Sequence, residues 1–70
     1  MDWTEFLKLG IAALRQSIHR NKKLIGLWEV VKDADVKTRT SDIAELERRI
    51  RIDQELLVIR ETELAQESGL

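Results

Sequence analysis

Cysteine, proline and tyrosine are absent from this chain, and glycine occurs only at positions 10, 26 and 69. Without cysteine there is no disulfide framework, no thiolate metal site and no cysteine nucleophile. The single histidine, His19, would leave any zinc site to carboxylates, and no His-x-x-x-His or Glu-x-x-His spacing exists to begin one. Glycine-rich loops, a nucleophile elbow, a paired-carboxylate cleft and a Walker-type lysine are missing too, so no catalytic, cofactor or metal role is assigned to any residue. Asp33 and Asp35 begin the acidic spacing of a calcium loop, but Lys37 and Arg39 follow and the turn glycine is lacking. The stretches without charge, Leu9 to Leu14 and Leu24 to Trp28, are far shorter than the ~20 residues of a bilayer crossing. The opening Met-Asp-Trp-Thr-Glu has acids where a signal peptide carries bases, and a cytoplasmic location is the expectation.

What remains is a 70-residue chain, 43% apolar and 36% charged, with a net charge of −1. That balance is rich enough in apolar residues to fold, while a core of this size supplies only ~3–5 kcal/mol. Association with further copies is the stabilising device left over. The scarcity of loop-forming residues predicts long helices. Asp2 followed by Glu5 reads as an N-cap with its acidic third helical residue, which starts helix 1 at about 3–32. The stretch 33–40 has no apolar period and gathers short polar and β-branched residues, so it reads as the joint. Ser41 then reads as the N-cap of helix 2, at about 41–66, with Asp42 and Glu45 facing the positive end of its dipole. The expected fold is all-α: a hairpin of two long antiparallel helices that assembles into a homo-oligomeric helix bundle or coiled coil.

Helix 1 carries a heptad in which Leu7, Leu14, Asn21 and Trp28 share one position, and Trp3, Gly10, Ser17, Leu24 and Val31 read as the other seam position. Its flanks are apolar as well, with Ile11, Ile18 and Ile25 on one side and Phe6, Ala13 and Leu27 beside Arg20 on the other. One neighbouring helix buries a seam and leaves flanks uncovered. On helix 2, Ile43, Ile50, Leu57 and Leu64 recur every seven residues with Leu46 beside them, while Ile52, Leu56 and Ile59 form a second apolar face. The expected oligomer interface therefore comprises Trp3, Leu7, Leu14, Asn21, Trp28, Ile52, Leu56 and Ile59, with Asn21 setting the register.

The charges of helix 2 fall at i, i+4 spacing, Glu45 with Arg49, Glu47 with Arg51 and Arg51 with Glu55, as solvated helices place them. Asp53 and Arg60 lie beside the helix-2 seam. Between Phe6 and Trp28 helix 1 has basic residues and no acid, and Lys8, Arg15, His19, Lys22 and Lys23 share one arc. The leading functional reading is a non-catalytic protein–protein interaction module, an adaptor, regulator or assembly factor of the kind common in phage, plasmid and bacterial regulation, acting as a homodimer or higher bundle. Its partners are expected to be its own copies first and another protein second. The alternative is a small RNA- or DNA-binding regulator that contacts phosphates through the basic arc, although no aromatic interleaves it to stack on a base.

Overall fold

A computed structural model describes residues 2–30 and 35–68. Helix α1 spans Trp3–Val30 and helix α2 spans Val36–Ser68, and the two pack against each other as a hairpin. At 1.5 Å per residue they measure roughly 42 Å and 50 Å. The molecule is accordingly a rod of 53 × 16 × 15 Å. No helix among the described residues is long and apolar enough to cross a membrane.

Both helices start on an aspartate. The Asp2 carboxylate accepts the Glu5 amide N–H at 2.8 Å, which satisfies a donor that the first turn leaves free, and the Asp2 carbonyl takes the Phe6 amide at 3.1 Å as the first bond of the helix. At the second start the Asp35 carbonyl accepts the Arg39 amide at 2.9 Å, while the Thr38 hydroxyl donates to the Asp35 carboxylate at 3.2 Å. The cap of α2 thus lies six residues before the one expected at Ser41, and Ser41 lies inside the helix. Each short polar or β-branched residue costs only a few tenths of a kcal/mol within a helix, and neither proline nor glycine stands between Asp35 and Ser41 to stop it. Residues 33 and 34 of the expected joint lie outside the described residues, as does the expected end of helix 1 at 32.

Burial shows which columns face each other. On α1 the residues Thr4, Leu7, Ile11, Leu14, Ile18, Asn21, Ile25 and Trp28 are buried or half-buried, in alternating steps of three and four. On α2 the corresponding series is Arg39, Ile43, Leu46, Ile50, Asp53, Leu57, Arg60 and Leu64. These are two-helix seams of heptad type. The second seam column of α1 is therefore Thr4, Ile11, Ile18 and Ile25, not the expected column of Trp3, Gly10, Ser17 and Leu24. Trp3 and Leu24 are exposed, Gly10 and Ser17 sit at the seam's edge, and Val31 lies outside the described residues. The rotation by one column follows from area. Three isoleucines bury far more apolar surface than a column holding glycine and serine.

Candidate interaction site

A hairpin of two helices has two open sides, and the grooves along them show which residues share each side. One groove is lined by Ser17, Arg20 and Asn21 from α1 with Arg49, Ile52 and Asp53 from α2. On the same side, nearer the connection, Leu24 and Trp28 meet Asp42, Glu45 and Arg49. The opposite side carries grooves in which Lys8 and Arg15 lie by Glu61, and Arg15, His19 and Lys22 by Gln54 and Leu57.

Helical periodicity then extends the first of these sides, while Leu9, Val30, Val36 and Val58 are exposed away from it. Phe6, Gly10, Ala13, Leu24 and Leu27 fall in line with Ser17 and Arg20 on α1, and Leu56 and Ile59 follow Ile52 on α2. The surplus apolar columns of the two helices therefore converge on one side of the hairpin, and the basic arc occupies the other. On the apolar side Ile52, Leu56 and Ile59 are 50%, 38% and 51% exposed. Trp3 and Phe6 stack with ring centroids 5.4 Å apart at the end of that side and remain about half exposed. Between them and Leu24 the α1 surface is low: a Cβ built at Gly10 would meet nothing within 4 Å.

The residues expected at an oligomer interface thus divide into two groups. Leu7, Leu14, Asn21 and Trp28 line the seam between α1 and α2 of one chain. Trp3, Ile52, Leu56 and Ile59 are exposed on the apolar side. Asn21 is only 7% exposed, and its side chain makes no hydrogen bond among the described residues. Among the described residues no fully enclosed side-chain polar atom lacks a partner, so its amide reaches water through the groove it shares with Ser17 and Arg49.

Across the seam the Ser17 hydroxyl donates to the Asp53 carboxylate at 2.7 Å. Asp53 and Arg60 stand in the α2 seam column and not beside it, and Arg60 is held by Glu63 at 2.7 Å. The Ser17–Asp53 pair was missed in the sequence because Asp53 reads there as lying beside the seam; the seven-residue spacing of Leu46, Asp53 and Arg60 is the signal that places it within.

On the basic side Arg15 pairs with Glu61 at 3.3 Å, whereas Lys8, Lys22 and Lys23 make no ion pair among the described residues and His19 is exposed. Of the expected i, i+4 pairs, Glu45 with Arg49 forms at 3.2 Å, and Glu45 also takes Arg48. Glu47, Arg51 and Glu55 make no ion pair among the described residues. No group of three or more His, Asp or Glu side chains suited to a metal ion occurs among the described residues. No family model, curated protein or solved structure matches this chain.

Proposed function

We propose that this chain is a non-catalytic, cytoplasmic interaction module, an adaptor, regulator or assembly factor, that works as a homo-oligomeric helix bundle. The observation that carries the reading is the convergence of both helices' surplus apolar residues on one side. The hairpin exposes 5534 Å² of surface. A compact chain of its mass, 8.2 kDa, exposes about 4,500 Å². The surplus of about 1,000 Å² is close to the ~800 Å² that each partner contributes to a standard stable interface. Covering the apolar side with another helical hairpin gives each helix the second neighbour that its flank requires. Sedimentation equilibrium across a wide range of concentrations tests the reading. Self-association in the micromolar range is expected, and a cooperatively folded species of monomeric mass at every concentration would overturn it.

A second reading, contact with nucleic-acid phosphates, rests on the exposed Lys8, Lys22 and Lys23 on the other side. Glu61, paired with Arg15, weakens the field of that side. Titration with mixed nucleic acids at low and moderate salt decides it, because phosphate contacts require binding that falls steeply as salt rises.

A further inference from the structure

The apolar side has an internal symmetry that selects how a second copy sits on it. On α2, Leu56 is the midpoint: Ile52 lies four residues before it and Ile59 three after, while Arg49 lies seven before and Glu63 seven after. On α1, Ser17 is the midpoint: Gly10 lies seven residues before it and Leu24 seven after, with Phe6 and Leu27 beyond them. The two midpoints share one level of the rod. Ser17 bonds Asp53 and neighbouring Arg15 bonds Glu61, so the α2 residues level with Ser17 lie between these two, where Leu56 is.

We infer that two copies associate face to face about a two-fold axis that crosses both helices at the level of Ser17 and Leu56. The inference rests on the oligomeric reading above and specifies its geometry. The axis sets each α2 antiparallel to α2 of the second copy. Leu56 then meets Leu56, Ile52 meets Ile59, and Arg49 faces Glu63 of the other chain, twice by symmetry. The same axis sets α1 antiparallel to α1. Leu24 descends over the low surface at Gly10, where a side chain meets open space, and Leu27 approaches Phe6. Apolar residues meet apolar ones except at Arg20, which lies over Ala13 and Ser17 of the other chain, and opposite charges close both ends of the α2 contact.

The other two-fold arrangement, with the axis along the rod, sets α1 against α2 of the second copy. At matching levels it pairs Arg20 with Asp53 but places Arg49 against Leu24 and Glu63 against Gly10, so twice as many charges are left facing apolar surface as in the first arrangement. Charge complementarity therefore selects the crossing axis.

Charge reversal and cross-linking test the inference on the full chain. Arg49→Glu and Glu63→Arg, made singly, are each expected to raise the dimer dissociation constant about tenfold by placing like charges together at two symmetric sites. The double variant R49E/E63R is expected to recover most of the loss. Within one chain that double variant restores neither the Glu45–Arg49 pair nor the Arg60–Glu63 pair, so recovery reports the contact between copies. Leu56→Cys, the only cysteine in such a chain, is expected to form a covalent dimer under mild oxidation. A dimer in which the double variant is no tighter than the singles, or in which Leu56→Cys does not cross-link, overturns this packing and leaves the oligomeric reading standing. A wild-type chain that is monomeric throughout overturns both.

Discussion

Ser17 and Asp53 join the two helices by a hydroxyl-to-carboxylate bond of 2.7 Å at the half-buried edge of the seam. It is a polar tie between apolar layers, and its value is set by what Asp53 loses without it. Ser17→Ala leaves a half-buried carboxylate with one donor fewer, at a cost of about 1 kcal/mol. Thermal or urea denaturation of the variant should show that loss. Replacing both partners, Ser17→Ala with Asp53→Leu, removes the unmet carboxylate and extends the apolar seam, so the double variant is expected to be at least as stable as the wild type.

Asn21 is as buried as the isoleucines around it, and its side chain makes no hydrogen bond among the described residues. Asn21→Leu therefore exchanges a polar group held at a seam position for apolar contact. The melting temperature is expected to rise, by the equivalent of about 1 kcal/mol. Loss of a polar residue from the seam also relaxes the choice of register, so sedimentation of the variant should show a mixture of assembly states. A lower melting temperature would show that the amide has a partner worth more than the burial of leucine.

Most of the hairpin was legible in the residues because the two signals that specify it agree. The absence of proline and the rarity of glycine allow long helices, and leucine and isoleucine at heptad spacing give each helix a side to bury. The exact seam on α1 was not, because apolar residues fill adjacent columns and periodicity alone cannot choose between them. The choice fell to area, in favour of Ile11, Ile18 and Ile25. The start of α2 was misplaced for a related reason. Val36, Thr38 and Thr40 are weak helix formers one by one, yet the good helix formers Lys37 and Arg39 between them, the cap at Asp35 and the half-burial of Arg39 outweigh their small individual costs. That the surplus apolar columns share one side was hidden altogether, since it depends on how the helices are rotated about each other.

The position of the second cap can be checked directly. Asp35→Ala removes the acceptor at the start of α2 and is expected to cost about 1 kcal/mol, whereas Ser41→Ala lies within the helix and should be neutral or slightly stabilising. Chemical denaturation of the two variants ranks them. The opposite ranking would return the start of the helix to Ser41.

Leu7 and Leu9 stand two residues apart on α1 and differ almost completely in surroundings, at 1% and 58% exposure. Truncating Leu7 leaves a void against α2, and Leu7→Ala is expected to lose about 2–5 kcal/mol, which is most of what a chain of this length has. Leu9→Ala should stay within about 0.5 kcal/mol of the wild type. Equal effects at the two sites would mean that the hairpin seam runs elsewhere.

Folding and association can be separated because Ile52 and Ile59 lie outside the hairpin seam. Each is about half exposed, so Ile52→Glu with Ile59→Glu removes little from the packing of α1 on α2 while placing two charges on the apolar side. A self-associating chain gains stability by mass action, and its melting temperature rises with protein concentration. The wild type should show that dependence. In the double variant the melting curve is expected to become independent of concentration, with helical content kept at low temperature and the sedimenting mass that of one chain. If instead the wild-type melting temperature is the same across a hundredfold dilution, the hairpin is stable unaided and the apolar side serves some contact other than a second copy.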